Sequence, residues 1–171
     1  MFRKLFDAWR KRDIGQRIER PGWTVIYVGD YSTAPTWAYT TGFQDLLGAP
    51  EIIVFDVPQA SANALFHEIS GEIKAGKLTI RDGERWRPDA GVSVWRKVHP
   101  SRFVDDPENS WLGLAFNFHL LRSGGAEFEA YQLVISDAEG NLPWEPGYDE
   151  RLRPRQRALW EPAKLAPDAA V

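Results

Sequence analysis

The sequence predicts an α+β domain: a mostly antiparallel or mixed sheet of about five to six strands packed by two main helices, with an N-terminal amphipathic helix. Three observations carry that prediction. Early runs of β-branched and aromatic residues follow one another across short turn signals, which is hairpin order. The run EIIVFDV (51–57) is unbroken in its apolar character, so both its faces need cover. Past the first 20 residues, segments with helical spacing fall between the later strands, and not one for one with strands as a doubly wound fold requires.

Taken in order, Phe2, Leu5, Phe6 and Trp9 stand at i, i+3, i+4 and i+7, one face of a helix within residues 1–20. Arg3, Lys4, Arg10, Lys11 and Arg12 then face water. Docking on the domain, or on a second copy of the chain, explains this better than a membrane or nucleic-acid arm. Pro21 and Gly22 signal a turn into residues 21–160, the domain itself. WTVIYVG (23–29) and TWAYTTGF (36–43) read as strands of a hairpin, and 46–50 as a connector before the central strand 51–57.

Pro58 opens the clearest helix, near 58–75, with Ala62, Leu65, Phe66, Ile69 and Ile73 as its stripe and Gly76 at its end. LTIRDG (78–83) predicts a short strand entering a turn, and VSVWRKVH (92–99) an alternating strand. A helix over 110–122 places Trp111, Leu114, Ala115, Phe118 and Leu121 on one side. AYQLVIS (130–136) is a further strand, followed by a turn at 137–141, and residues 161–171 read as a frayed tail.

Composition narrows the functional classes. The chain has 171 residues and no cysteine, which removes disulfides, thiolate metal sites and thiol nucleophiles. No run of about 18 apolar residues spans a membrane, and the basic start lacks the apolar core of an export signal, so the cytoplasm is the expected address. The net charge of −3 divides into +4 over residues 1–20 and −7 over the rest, unlike a uniformly basic nucleic-acid binder.

The runs GWTVIYVG, WAYTTGF and GAPEIIVFDV, with a helix closing at AGK, resemble the bacterial family known as domain of unknown function 4262. The later YQLVISDAEGNLPWEPGYD is similar to that family's C-terminal stretch, and the likeness covers roughly residues 20–160. Phe43 departs from the pattern, where an aliphatic residue is commoner. The resemblance implies a fold and a bacterial origin and assigns no activity.

Several residues nevertheless offer chemistry. Tyr39 and Thr41 share one strand face and Thr40 the other, so a phenol and a hydroxyl could orient a ligand; β-propensity alone also explains them. Glu51 stands at the mouth of the central strand, where burial suits a general acid or base, or where it bonds amides of the connector. His99 ends a strand before Pro100 and is the histidine best placed for catalysis. His67 reads as solvated and His119 as a packing residue, and no histidine pair has metal-ligand spacing. Trp144 and Tyr148, with Gly147, read either as an aromatic lid over a pocket mouth, suited to a planar ligand such as a flavin or nucleobase, or as a Pro-braced surface flap. Asp105, Asp106 and Glu108 read as a solvated loop, and Asp137 to Gly140 as turn geometry.

Phosphate-loop, dinucleotide, zinc-peptidase and hydrolase-elbow motifs are absent from the sequence. Arg151, Arg153, Arg155 and Arg157 alternate, which suits either phosphates or one solvated face. The sequence therefore points first to a small-ligand-binding, regulatory or interaction module, whose partner is a small molecule or a protein. The alternative is a small-molecule enzyme, in one version flavin-dependent, built on Tyr39, Thr41, Glu51 and His99. Nucleic-acid binding through the basic termini ranks last.

Overall fold

A computed structural model of the chain describes residues 22–29, 35–87, 91–103, 110–124 and 127–163. The expected N-terminal helix, the acidic 105–108 loop and the tail beyond 163 lie outside the described residues. Those described form an α+β fold. Its strands are β1 (Thr24–Val28), β2 (Trp37–Thr41), β3 (Glu51–Phe55), β4 (Arg85–Trp86), β5 (Ser93–Lys97) and β6 (Ala130–Ile135). Its α-helices are α1 (Phe43–Leu47), α2 (Gln59–Lys74) and α3 (Gly113–Ser123).

The sheet is mixed, in the order β1-β2-β3-β6-β5-β4. β1 and β2 form the expected antiparallel hairpin, with Ile26 opposite Tyr39, and β2 continues antiparallel into β3, with Tyr39 opposite Ile53. β3 then pairs in parallel with β6, Glu51 opposite Ala130 and Ile53 opposite Gln132. β5 and β4 complete the sheet in antiparallel fashion. All five residues of β3 are buried, as an unbroken apolar run with cover on both faces requires.

That cover differs by face. Ile52 and Val54 meet Ala62, Phe66 and Ile69 of α2, joined by Trp95, Tyr131 and Leu133. Ile53 and Phe55 point the other way and meet Leu112 and Ala115 beside α3, together with Leu159. Farther along that face Val94 and Val134 pack under Leu142 and Trp160. The C-terminal segment is thus a wall of the core. Residues 161–163 continue it, since Arg102 Nε donates to Glu161 O and Ala163 N donates to Ser101 Oγ.

Three expectations shift. The strand expected over 78–83 is irregular, and the ladder begins later, at Arg85. Leu78 and Ile80 still pack against the core, so their alternation marked burial without strand pairing. The connector before β3 contains α1, which starts at Phe43 and stands between Gly42 (φ 102) and Gly48 (φ 64). Both conformations are cheap only for glycine, so these residues end the strand and then the helix. On α3 the inward face is Ala115 and His119, while Leu121 is exposed.

Phe66 is fully buried in the larger core cluster. Phe66→Ala therefore lowers stability by about 3–5 kcal/mol in urea unfolding. A loss below about 1 kcal/mol would show that α2 is not the main cover of this face.

Candidate functional site

The polar chemistry of the domain collects at the two ends of β3. At the first end Glu51 is fully buried. Its carboxylate accepts from Thr40 Oγ1 at 2.6 Å, from the Gly42 amide at 2.8 Å and from the Gln44 amide at 3.2 Å. Thr40 Oγ1 in turn accepts from the Ile52 amide at 2.9 Å, replacing a backbone acceptor where the β2–β3 ladder stops. One side chain thereby binds the end of β2, the start of α1 and the start of β3. Burial pushes the Glu51 carboxyl up to about 7, against the downward pull of Thr40 and the Gln44 and Gly42 amides; nearby Asp45 adds to the rise.

Beside it, Asp45 of α1 reaches His119 of α3, with Nδ1 3.2 Å from Oδ1 and both side chains nearly sealed from water. Asp45 Oδ2 and Thr41 Oγ1 are buried with no hydrogen-bond partner among the described residues. This cluster joins α1 to α3 below the sheet end. His99 belongs to the same end: Glu51 pairs with Ala130, and Ala130 O accepts from Val98. It stands two strands away, its Nδ1 accepting from the Ser101 amide at 3.2 Å as it caps a short 3-10 turn.

At the other end of β3 the parallel pair separates. Its register runs only from Glu51–Ala130 to Ile53–Gln132. Ser136 N still donates to Val92 O on the β5 side, which leaves the amide and carbonyl of Ile135 facing the space β3 has left. Gln156 fills that vacancy: its Oε1 accepts from Ile135 N at 2.8 Å and its Nε2 donates to Ile135 O at 2.7 Å. A side-chain amide thus stands in for a strand partner.

The separation opens a cleft of about 140 Å³. Its apolar walls are Phe55, Val57, Ile135 and Leu152, and its polar groups come from Asp56, Ser136, Tyr148, Arg155 and Gln156. Gln156 Nε2 lies 3.3 Å from Tyr148 Oη, which accepts there and keeps its own O–H for donation. Arg155 Nη1 and Asp56 Oδ2 stand 3.0 Å apart. Asp56 adopts φ 56, a left-handed conformation that Asp tolerates better than most residues. A second cleft, of about 380 Å³, opens on the β5 side of the same strand end, beside Trp86, Arg87, Ser93 and Asp137.

The residues expected from the sequence therefore divide. Glu51 and Thr41 lie at one strand end, but the hydroxyl bonded to Glu51 is that of Thr40, and Thr41 Oγ1 is buried without a partner among the described residues. His99 is two strands away and Tyr39 is buried in the sheet-and-α3 core. Neither of these two clefts is lined by Glu51 or His99. Tyr148 lines the smaller cleft at the opposite end. Trp144 is an exposed surface residue, edge-on to Trp160 at 5.4 Å, with the Arg96 guanidinium over both rings. Sequence reasoning missed Thr40, Asp45 and His119 at the first end, and Asp56 and Gln156 at the second. Only Thr40 carried a signal, its place beside the Thr41–Gly42 strand end.

The remaining motifs serve the fold. Asp137 Oδ1 accepts from the Glu139 and Asn141 amides and Oδ2 from the Asp149 amide, so one carboxylate ties the whole 137–149 segment. Desolvation raises that carboxyl, but the Asn141 and Asp149 amides outweigh it and hold it below the ordinary range. Arg151 pairs with Asp149, Arg153 with Glu150 and Arg155 with Asp56. Among the described residues no acidic or histidine cluster suits a metal, and no helix is long and apolar enough to cross a membrane.

These features define an α+β domain whose mixed sheet carries a buried acid at one end of its central strand and a small cleft at the other. A family model, domain of unknown function (DUF4262), matches residues 17–149, and the chain belongs to that family. No curated protein and no solved structure matches it. The matched region holds Glu51, Asp56 and Tyr148, whereas Leu152, Arg155 and Gln156 come from beyond it.

Two measurements probe these ends. A carboxyl near 7 in the fold, against an ordinary 4.5, favours the folded state fully below 4.5. That contribution, roughly 3 kcal/mol, is lost as pH rises through about 7. Glu51→Gln keeps the shape without the charge, so urea unfolding between pH 4.5 and 8 should show a flatter profile than the wild type; parallel profiles would refute the assignment. Gln156→Ala strands both Ile135 backbone groups and costs about 2–3 kcal/mol. Hydrogen exchange should accelerate at the Ile135 amide first, and unchanged protection there would refute the clamp.

Proposed function

We propose that the domain is a small-molecule-binding module whose ligand occupies the cleft where β3 and β6 part. The observation that carries this reading is the convergence of Tyr148, Ser136, Asp56 and Arg155 on an apolar floor of Phe55, Val57 and Leu152. Ligand sites combine those features: apolar walls for affinity and a few placed polar atoms for orientation. The carboxyl ends of parallel strands are also where crevices form in open sheets, because chains leave them in different directions. Here β3 turns into α2 while β6 enters the 137–149 segment.

Size restricts the ligand. A cavity of about 150 Å³ accommodates a molecule such as benzene, so a cleft of this size suits six to about nine non-hydrogen atoms. A flavin ring system is too large for it. The ligand is therefore a small metabolite, and its binding serves sensing or regulation.

Amide NMR with a set of compounds in that size range tests the reading. Binders should shift the Asp56, Ile135, Ser136 and Tyr148 amides together, and Leu152→Trp, which fills the cleft, should abolish those shifts. Shifts confined to other surfaces, or none at millimolar concentration, would defeat the proposal.

A further inference from the structure

We infer that the cleft receives a small zwitterion of the α-amino-acid class, its carboxylate on Arg155 and its ammonium on Asp56. The inference rests on the reading of the cleft as a ligand site and adds the chemistry of what enters. Arg155 and Asp56 are the two charged groups of the lining, and they have opposite sign.

Each class of ligand meets that pair differently. A simple anion would pair with Arg155 but lie against Asp56, whose charge would lose its partner. A simple cation would leave Arg155 in the same position. A molecule whose ammonium and carboxylate share one carbon inserts between the two side chains and keeps opposite charges alternating throughout. No charge is then left uncompensated, which is the condition for admitting ions to a partly buried site.

The unliganded pair is easy to open. The Arg155 and Asp56 side chains are 49% and 34% exposed, so solvent screens their attraction. The two residues are 99 positions apart, one just after β3 and one on the C-terminal segment, and both line the cleft. Inside, Phe55, Val57, Ile135 and Leu152 offer an apolar surface to a short aliphatic side chain, and the Tyr148 hydroxyl supplies a further donor for the carboxylate. Asp56 holds its place because its amide donates to Thr36 O at 2.9 Å, so the left-handed turn carries the carboxylate at a fixed point of the rim.

Titrating the full chain by NMR with L-valine, isovalerate and isobutylamine tests this, because the last two are valine without its ammonium and without its carboxylate. L-valine, with about eight non-hydrogen atoms, should bind at least tenfold more tightly than either analogue. Arg155→Gln and Asp56→Asn should each weaken L-valine by roughly tenfold or more. Asn tolerates the left-handed conformation, so that variant removes charge without forcing the backbone. Isovalerate or isobutylamine binding as well as L-valine, or variants that keep its affinity, would overturn the zwitterion. If L-valine leaves the spectrum unchanged while other small compounds shift the cleft amides, the ligand class is wrong and the site survives. If none of them shifts those amides, both proposals fall.

Discussion

The domain is organised by β3, an interior strand paired on both edges and buried along its whole length. Such a strand has no access to water along its length, so every polar group it carries needs an internal partner. Its first residue, Glu51, brings an ionisable group into that setting. The fold answers with Thr40 Oγ1 and two amides at the start of α1, and those same bonds attach α1 to the strand ends. A carboxylate that satisfies this many donors ties the end of β2 and the start of α1 to the start of β3, beyond the point where the β2–β3 ladder stops. The cost is a group held near its titration point, since burial and Asp45 both oppose its charge.

At the opposite end the same requirement produces an opening. Parallel pairing of β3 with β6 lasts for three residue pairs, after which the strands need separate partners. β3 keeps its other edge on β2 as it leaves, since Asp56 N bonds to Thr36 O there. β6 can leave because Gln156 satisfies Ile135 from the side. The cleft is therefore a consequence of backbone hydrogen-bond satisfaction, held open by a side chain that cannot move without stranding two backbone groups. Preorganisation of this kind is what a binding site needs, because the ligand does not have to order its own walls.

Much of the fold was legible because it follows from local periodicity. The hairpin, the buried run at 51–57, the long helix after Pro58 and the strand at 130 each announce themselves within a window of a few residues. The position of Glu51 was legible too, including its bond to connector amides, because an acid at the mouth of a buried strand needs donors nearby. What could not be read was register. Tyr39 and Thr41 drew attention as a shared face, yet the hydroxyl that meets Glu51 belongs to Thr40, which acts where the ladder ends. His119 bonds Asp45 across 74 positions, and Gln156 bonds Ile135 across 21. No spacing rule in the sequence connects such pairs. Leu78 and Ile80 show the converse: their alternation is real and reports burial, but backbone pairing was never implied by it.

The arginines of the C-terminal segment show how local and distant partners separate structural from available charge. Arg151 and Arg153 are held by Asp149 and Glu150, two and three residues away, so their pairing forms with the turn itself. Arg155 instead depends on Asp56 from another part of the sheet. Its bond forms only when β3 and the C-terminal segment are both in place, and it can break without disturbing either, because Gln156 holds the segment independently. A charge pair that the wall does not need for its own cohesion, with both members on the cleft lining, is the pair the zwitterion proposal calls on.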